Sequence, residues 1–239
     1  LFVSVSMANL FRIDFIGNTL MTSFHHELLK GLYAITDPKL MGSDIVAMVE
    51  FSISGGINIL QYRNKIATLA QQEQEACTLA KLCKKHNVLF IINDNVELAI
   101  KVNADGVHLG QKDTHIQKAR KQLGKNKIIG VTCNNQIELA QMAQAQGADY
   151  VAFGRFFNSV TKPSAPQAEL SLITEAKKVI SIPIVAIGGI THKSAPALLK
   201  EGVDMLAVIQ GIFGQPDILK ATRQLVELFN TIDTPHSDL

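Results

Sequence analysis

Polar and charged side chains stand in four short clusters along the chain, each a few residues after an apolar run. In chain order the clusters are Gln61-Tyr62-Arg63-Asn64-Lys65, Asn93-Asp94, Gly110-Gln111-Lys112-Asp113 and Thr161-Lys162. Arginine and lysine are suited to binding phosphate oxygens. Two carboxylates with no thiol beside them are suited to a hard divalent ion such as Mg²⁺. The ordered set therefore predicts a site for a magnesium-bound polyphosphate.

The first cluster has an alternation that separates its side chains. In an extended segment, Gln61, Arg63 and Lys65 lie on one side of the chain. Tyr62 and Asn64 then lie on the other side. Arg63 can bind a phosphate through two parallel hydrogen bonds, and Lys65 adds a point charge. The alternative is a solvated loop with a single ion pair.

Asp94 and Asp113 are the two candidate metal ligands, and neither has an evident cation partner close by in the sequence. Asn93 can hydrogen-bond a substrate ring or a phosphate. The alternative roles are local ones. The segment Asn93-Asp94-Asn95 can turn the chain and cap the following helix, and Asp113 can cap the helix after it. A local role and ligand binding are compatible with each other.

A second anion site is predicted from glycines at the ends of two later strands. The segments are Ile187-Gly188-Gly189-Ile190-Thr191 and Val208-Ile209-Gln210-Gly211. Glycine lets a phosphate approach backbone N–H groups, and a helix N-terminus favours the anion. Between the two anion sites, the segment 158–163 is predicted to be a loop from which Lys162 can reach inward. A metal-bound diphosphate that faces a simple phosphate indicates group transfer with departure of diphosphate.

Eight apolar runs that are predicted to be β-strands position these clusters. They cover residues 32–36, 57–62, 88–93, 106–109, 127–131, 150–153, 184–187 and 205–209, and the helical segments between them include 43–54, 69–86, 136–145, 170–179 and 194–200. The runs are continuous rather than alternating, which is typical of parallel strands covered on both faces. We therefore predict an α/β fold, a single (β/α)8 TIM barrel with the catalytic site at the C-terminal strand ends.

A doubly wound open sheet is the alternative architecture. Such a sheet usually has a G-x-G-x-x-G segment after its first strand, whereas the first strand here ends in Ile35-Thr36-Asp37-Pro38. The barrel is therefore the favoured prediction. Since His108 lies within the fourth predicted strand, we interpret it as a hydrogen-bonded barrel residue rather than as an acid or base.

The composition limits the partners that the chain can have. Of its 239 residues, 47% are hydrophobic and 18% are charged, and the net charge is +2. A packed core is expected, and neither a nucleic acid nor a membrane is expected as a partner. The three cysteines form no C-x-x-C pair, which favours a reducing compartment, and we predict a cytoplasmic protein. The sequence leaves the oligomeric state open, including a homo-oligomer.

Residues 1–26 stand apart from the repeating pattern. Up to residue 18 they are apolar, with only Arg12 and Asp14 charged. No basic segment precedes the apolar run and no clear cleavage site follows it, so we do not expect a signal peptide. Charge interrupts the run too soon for a membrane span. We predict an N-terminal extension over 1–26, to which no role is assigned, and one barrel domain over 27–239.

At these clusters the chain resembles the thiamine phosphate synthase (thiamine-phosphate pyrophosphorylase) family. The family pattern consists of Q-[FY]-R-x-K, N-D, G-x-H-x-G-Q-x-D, a T-x-T-K-like loop, an I-G-G-I turn and a V-[SA]-[VM]-[IV]-S strand end. The corresponding segments here are 61–65, 93–94, 106–113, 159–162, 187–190 and 206–210. The resemblance extends over residues 31–216, which is nearly the whole predicted barrel.

The resemblance implies that diphosphate leaves hydroxymethylpyrimidine diphosphate and that the nitrogen of thiazole phosphate bonds to the methylene carbon, giving thiamine phosphate and pyrophosphate with Mg²⁺ as cofactor. Both substrates are small molecules. The implied pyrimidine diphosphate site consists of Gln61, Tyr62, Arg63, Asn64, Lys65, Asn93, Thr132 and Lys162, with catalytic roles for Arg63, Lys65, Thr132 and Lys162. The implied thiazole phosphate site consists of Ser159, Thr161, Gly189, Ile209 and Gln210, and the implied metal ligands are Asp94 and Asp113.

Four positions depart from the family pattern: Asn64 replaces Glu, Thr132 replaces Ser, Ser159 replaces Thr and Gln210 replaces Ser. Thr132 keeps a hydroxyl, whereas position 210 keeps only a backbone N–H contact with a phosphate. Two alternative functions remain. One is a thiazole tautomerase-like barrel, which isomerises the thiazole phosphate without coupling, and the other is a non-catalytic protein that binds a phosphate ligand. Magnesium-dependent release of pyrophosphate would exclude both.

Overall fold

Eight parallel strands form the closed barrel that the sequence predicts. The structure is a computed structural model that describes residues 28–158 and 166–232. The strands are β1 (Gly31–Ile35), β2 (Ile59–Tyr62), β3 (Leu89–Asn93), β4 (Gly106–Leu109), β5 (Ile128–Asn134), β6 (Tyr150–Phe153), β7 (Ile184–Ile187) and β8 (Met205–Val208). Each pairs with the next in the sequence, and β8 pairs with β1. The TIM-barrel prediction is confirmed, and the open sheet is excluded.

Helices follow the strands and cover the outside of the barrel. They are α1 (Pro38–Met41), α2 (Ile45–Gly55), α3 (Leu69–Lys85), α4 (Val96–Lys101), α5 (Ile116–Leu123), α6 (Ile137–Ala145), α7 (Ser171–Ala176), α8 (Ala195–Lys200), α9 (Gln210–Phe213) and α10 (Ile218–Ile232). At the start of α3, Thr68 and Gln71 each accept a hydrogen bond from the backbone N–H of the other, which is a capping box. Within the described ranges, no helix is long and apolar enough to cross a membrane.

The strands are buried on both faces, which explains their continuous apolar sequence. On β2, Leu60 and Tyr62 belong to the core between the barrel and its helices, whereas Ile59 belongs to the core inside the barrel. Gln61 shares the inner face with Ile59 by alternation and is also buried. The strand therefore carries an amide side chain into an otherwise apolar interior.

Strand β5 is longer than the sequence predicts. The apolar run ends at Val131, but the strand continues to Asn134 and pairs with β6, with an irregular register between Thr132 and Asn134. The prediction followed the apolar run alone, and polar residues continue the strand where its end borders a cavity. Thr132 consequently lies inside the strand, and its side chain lines that cavity.

Side chains at the amino ends of the even-numbered strands join the strands in pairs. Each accepts a hydrogen bond from a backbone N–H of the preceding odd-numbered strand: Asn58 from Leu32 at 3.0 Å, Asp105 from Phe90 at 2.8 Å, Asp149 from Ile129 at 2.7 Å and Asp204 from Ile184 at 2.8 Å. We call this arrangement the odd–even clasp. It joins β1 to β2, β3 to β4, β5 to β6 and β7 to β8. The clasp lies at the end of the barrel opposite the carboxyl strand ends.

Part of the sequence prediction falls on residues that lie outside the described ranges. The extension over 1–26 and the domain bounds of 27–239 are among these, and they stay predictions. Ser159, Thr161 and Lys162 also lie outside the described residues, so their implied roles stay predictions as well.

Candidate active site

A cavity opens at the carboxyl ends of the strands, the edge at which the clusters were expected. Its volume is about 260 Å³, and all eight strands contribute residues to its wall. The predicted site residues that line it are Gln61, Arg63, Lys65, Asn93, Asp94, Asp113, Thr132, Gly189, Ile209 and Gln210. The structure thus brings residues that are far apart in the sequence to one rim of the barrel, as the order of the strand ends requires.

Thr36 fixes the backbone that carries Arg63. The Thr36 hydroxyl accepts a hydrogen bond from the N–H of Arg63 at 2.8 Å and donates one to the carbonyl oxygen of Arg63 at 3.1 Å. Thr36 is itself fully buried, directly after β1. The first residue after β2 is therefore held by the residue that follows β1, and Arg63 belongs to the cavity wall.

Tyr62 and Asn64 do not line the cavity, although the family resemblance implied that both bind the substrate. Tyr62 is buried, and its hydroxyl donates a hydrogen bond to Oε2 of Glu75 on α3 at 2.7 Å. Asn64 donates to the same oxygen at 3.0 Å, and its Oδ1 accepts from the N–H groups of Ile66 and Ala67. Alternation turns both side chains toward the helix layer. They order the loop after β2 instead of facing a ligand.

Asp94 has a cation partner that is distant in the sequence, whereas the sequence prediction considered only partners close by. Lys65 Nζ lies 2.8 Å from Asp94 Oδ2. The two residues are far apart in the sequence, but they follow β2 and β3, which are neighbours in the barrel. The Lys65 side chain is 54% exposed and that of Asp94 is 26% exposed. A pair this accessible contributes only about 0–1 kcal/mol to stability, so the ammonium group remains available to an anionic ligand.

The carboxyl groups of Asp94 and Asp113 interact between the ends of β3 and β4. Burial raises the pKa of Asp113, and its hydrogen bond with the Asp94 carboxylate raises the pKa further. Burial also acts to raise the pKa of Asp94, but hydrogen bonds with Lys65 and Asp113 outweigh it and the pKa is lowered. Two carboxyl groups that repel each other when both are ionised form a favourable place for a divalent cation.

Local hydrogen bonds explain the turns around both carboxyl groups. Asn95 caps α4, since its Oδ1 accepts from the N–H of Leu98 at 2.9 Å. Asp113 Oδ2 accepts from the N–H of Gly110 at 2.8 Å, and the N-cap position of α5 is occupied by His115. The capping alternative is therefore correct for the 93–95 segment and wrong for Asp113.

The available ligands fit magnesium better than a transition metal. In the part of the chain that the structure describes, no three His, Cys, Asp or Glu side chains are grouped as in a self-contained metal site. Asp94 and Asp113 supply hard oxygen atoms only. Mg²⁺ is commonly held by one or two carboxylates while water and substrate phosphates complete its coordination. The pair therefore fits a magnesium ion that arrives with a phosphorylated ligand.

A chain of hydrogen bonds crosses the floor of the cavity, and we call its five members the inner polar chain. It connects Gln61 Nε2, the Tyr33 hydroxyl, the Tyr150 hydroxyl, His108 through Nδ1 and Nε2, and Thr132 Oγ1. The four distances, in that order, are 2.8, 2.8, 2.9 and 2.8 Å. His108 is buried and its ring stacks on that of Tyr150. Its prediction as a hydrogen-bonded barrel residue is confirmed.

Sequence analysis missed Tyr33 and Tyr150, because each lies in an apolar run and its partners come from other strands. Gly130 of β5 makes room for Tyr150, since a Cβ at position 130 would lie 1.9 Å from the tyrosine Cζ. A glycine inside an apolar strand often marks a close approach by a neighbouring group. That glycine was the available signal for a bulky side chain inside the barrel.

Arg155 is a further cation of the cavity wall that the sequence analysis missed. It is the second residue after β6, and its Nη1 donates to Oδ1 of Asn158 at 3.3 Å. Gly188 permits the close packing, because its φ is +104° and a Cβ there would lie 2.3 Å from Cβ of Arg155. Its position two residues after a predicted strand was the available signal, but the predicted cation was Lys162 in the later segment 158–163.

The ends of β7 and β8 present backbone groups to the cavity. Gly189 has a φ of +66°, and a Cβ there would lie 2.3 Å from the carbonyl oxygen of Asn158. Ile209 is the N-cap of α9, and its carbonyl oxygen accepts hydrogen bonds from the N–H groups of Ile212 and Phe213. The N–H groups of Gln210 and Gly211 precede the first of these bonds and have no partner within the helix. The Gln210 side chain is exposed and lies against Gly214. The backbone, rather than this side chain, is therefore what position 210 offers to an anion.

A closed parallel barrel with polar side chains gathered at its carboxyl strand ends defines a TIM-barrel enzyme. The family model described as thiamine monophosphate synthase matches residues 32–212, which is most of the barrel. The chain belongs to that family.

Relatives and solved structures give the same result. The thiamine-phosphate synthase of Thioalkalivibrio sulfidiphilus is 48% identical over 204 residues, which are 85% of this chain and 97% of the relative. That of Alcanivorax borkumensis is 48% identical over 207 residues, which are 85% of this chain and 95% of the relative. The structure of a thiamine phosphate pyrophosphorylase from Pyrococcus furiosus superimposes with a TM-score of 0.80 at 35% identity, covering 87% of this chain and 98% of that one.

Proposed function

We propose that this chain is a thiamine-phosphate synthase, which joins hydroxymethylpyrimidine diphosphate to thiazole phosphate in thiamine biosynthesis. One observation carries the proposal. A single cavity combines cations and carboxyl groups at the ends of β2 to β4 with glycine turns and backbone donors at the ends of β7 and β8. These two halves suit a metal-bound diphosphate and a simple phosphate, and the relatives that match most of the chain carry the same name.

The half formed by β2 to β4 would hold the leaving diphosphate. Arg63 offers a bidentate donor and Lys65 a point charge. Asp94 and Asp113 would hold a Mg²⁺ ion, whose charge supplies further neutralisation of the departing diphosphate. Lys162 is proposed as a third cation, on the basis of the family pattern. Preorganised charge of this kind stabilises a leaving group most effectively where water is excluded.

The chemistry itself needs orientation more than a nucleophilic side chain. The bond between the pyrimidine methylene carbon and the diphosphate oxygen breaks, and both electrons leave with diphosphate. The electron-rich aminopyrimidine stabilises the resulting cation, and the lone pair of the thiazole nitrogen then forms the new carbon–nitrogen bond. Gln61, Asn93 and Thr132 would position the pyrimidine for this transfer. Burial raises the pKa of the Cys83 and Cys133 thiols to about 12, so neither is activated as a nucleophile.

The half formed by β7 and β8 would bind the thiazole phosphate. Gly189 and the backbone at Ile209 and Gln210 offer N–H donors and close approach. Ser159 and Thr161 are proposed to complete this site, again on the family pattern. The three cysteines are free, which fits the reducing cytoplasm in which we place the enzyme.

The test is to incubate the protein with both substrates and Mg²⁺ and to measure thiamine phosphate and pyrophosphate. Product should form only when both substrates and the metal are present, and a chelator should stop it. Isomerisation of thiazole phosphate without coupling would instead indicate the tautomerase-like function. Binding of either phosphate ligand with no turnover would indicate a non-catalytic protein.

A further inference from the structure

We propose that Tyr33, Tyr150 and His108 are positioning residues that determine which end of the inner polar chain donates to the ligand and which end accepts. Specifically, Thr132 donates to the ligand and Gln61 accepts from it. The inference rests on the proposed function, because it concerns how the same cavity selects an aminopyrimidine. Gln61, Tyr33, His108 and Thr132 line the cavity, and Tyr150 lies fully buried between Tyr33 and His108.

The direction follows from counting protons along the chain. A tyrosine hydroxyl has one proton to donate. Gln61 donates from Nε2 to the Tyr33 oxygen, so Tyr33 directs its single proton to the Tyr150 oxygen. Tyr150 then directs its single proton to Nδ1 of His108. Burial raises the pKa of both tyrosines, so both hydroxyl protons are retained.

The histidine passes the direction on to Thr132. A neutral imidazole that accepts at Nδ1 carries its proton on Nε2. His108 Nε2 therefore donates to Thr132 Oγ1, 2.8 Å away. The Thr132 hydroxyl already accepts from the histidine, so its own proton is left for the cavity. At the other end, the Gln61 amide oxygen is left to accept from the cavity.

The two ends are coupled, because every member between them has one donor and one acceptor to use. Turning the Gln61 amide over would reverse each bond in the chain, and Thr132 would then accept while Gln61 donated. In either direction the cavity offers one donor and one acceptor, never two of a kind. A ligand that fits must therefore carry the opposite pair of groups at the same spacing.

An aminopyrimidine carries the pair that the first direction requires. Its ring nitrogen accepts from Thr132, and its exocyclic amine donates to Gln61. The corresponding pyrimidinone, with oxygen in place of the amine, offers a carbonyl acceptor and a ring N–H donor, which is the reverse pattern. To bind the pyrimidinone, the Gln61 amide would have to turn over and all four hydrogen bonds of the chain would have to reverse together. Without that reversal the buried groups lose their partners, which disfavours the mismatched analogue. The inner polar chain is thus a specificity device for the amino group.

The first measurement is the tautomer of His108 in the protein without substrates. The ¹⁵N chemical shifts of the imidazole ring, assigned by comparison with His108→Gln, should show a proton on Nε2 and none on Nδ1. Tyr150→Phe and Tyr33→Phe each remove one hydroxyl from the inner polar chain and keep the aromatic ring at that position, so the sequence of hydrogen bonds is interrupted. We expect His108 to populate both tautomers in each variant.

The second measurement compares the two substrates and the pyrimidinone analogue. Tyr33→Phe and Tyr150→Phe each remove one neutral hydrogen bond and leave its partner buried. Either change should lower kcat/KM for the aminopyrimidine diphosphate roughly tenfold to a hundredfold. Its preference over the pyrimidinone should shrink by about tenfold or more. The KM for thiazole phosphate should stay within about twofold. Thr222→Val is the matched control, because Thr222 is a buried hydroxyl on α10 outside the cavity wall. Thr222→Val should lower the free energy of unfolding and leave the kinetic constants for both substrates unchanged.

A proton on Nδ1 of His108 in the wild-type protein would overturn the assigned direction. Two results would show that the inner polar chain has only a structural role. One is a single, unchanged His108 tautomer in Tyr33→Phe and Tyr150→Phe, and the other is an equal loss of kinetic efficiency toward the aminopyrimidine diphosphate and thiazole phosphate. If Tyr150→Phe does not fold, the result for Tyr33→Phe decides. A wild-type protein that forms no thiamine phosphate would refute the proposed function, whereas the His108 tautomer would still be readable, so the two failures can be told apart.

Discussion

Removing the Asp94 carboxylate should separate its contribution to stability from its contribution to turnover. In Asp94→Ala the protein loses the contact with Lys65, in which both side chains are partly exposed. An accessible ion pair of this kind is worth about 0–1 kcal/mol. Position 94 also has a φ of +61°, which alanine tolerates less well than aspartate. We therefore expect the free energy of unfolding to fall by about 2 kcal/mol or less, which leaves the variant folded.

The same substitution should be severe for catalysis. If Asp94 and Asp113 hold the magnesium of the diphosphate, the variant loses charge stabilisation where the leaving group develops its charge. Loss of one such preorganised group typically costs about 10²- to 10³-fold in rate. We expect kcat/KM for pyrophosphate release to fall by about that factor and the Mg²⁺ concentration for half-maximal activity to rise. The assay is a magnesium titration with both substrates present.

A matched ion pair elsewhere on the surface provides the control. Lys101 Nζ lies 2.6 Å from Glu73 Oε2, with side chains 61% and 39% exposed. Neither residue belongs to the cavity wall. Glu73→Ala should therefore give a similarly small loss of stability with normal magnesium dependence. Near-normal turnover of Asp94→Ala at limiting Mg²⁺ would refute the metal assignment.

Three further substitutions test other parts of the structure. Gln210→Ser should change the KM for thiazole phosphate by less than about tenfold, because the Gln210 side chain lies against Gly214, and it should leave the KM for the pyrimidine diphosphate unchanged. A KM change confined to the pyrimidine diphosphate would show that the two anion sites are assigned the wrong way round. Tyr62→Phe should cost about 1–3 kcal/mol of unfolding free energy in urea titrations, through loss of the bond to Glu75, with both KM values unchanged; a raised KM would restore Tyr62 to the binding site. Asp105→Ala should destabilise by about 1–3 kcal/mol, because the N–H of Phe90 loses its partner, while kinetic constants per folded molecule stay the same.

The barrel could be predicted because its strands are buried on both faces and therefore stand out as apolar runs. Apolar runs do not reveal a strand residue that is polar, even where that residue belongs to the barrel. Strand β5 continues through Thr132 and Asn134, which border the cavity, and the apolar run gave no sign of this. Side-chain alternation placed Gln61 and Arg63 at the cavity and Tyr62 away from it, which agrees with the structure.

The contacts that escaped prediction all join different strands. Lys65 and Asp94 meet only because β2 and β3 are neighbours. Tyr33 and Tyr150 meet inside the barrel, 117 residues apart in the sequence. Pairing of this kind depends on barrel closure and on the room that Gly130 leaves, and neither can be read from local residue types.

The odd–even clasp has a consequence for how this barrel can evolve by mutation. The clasp lies at the amino ends of the strands, and the cavity lies beyond their carboxyl ends. A four-residue strand separates the two ends by about 13 Å, a distance at which substitutions usually act additively. Mutations that strengthen the clasp could therefore accumulate without altering the catalytic rim. A barrel stabilised in this way would tolerate destabilising mutations that change substrate specificity at the carboxyl strand ends. Stability and new specificity would then depend on different residues.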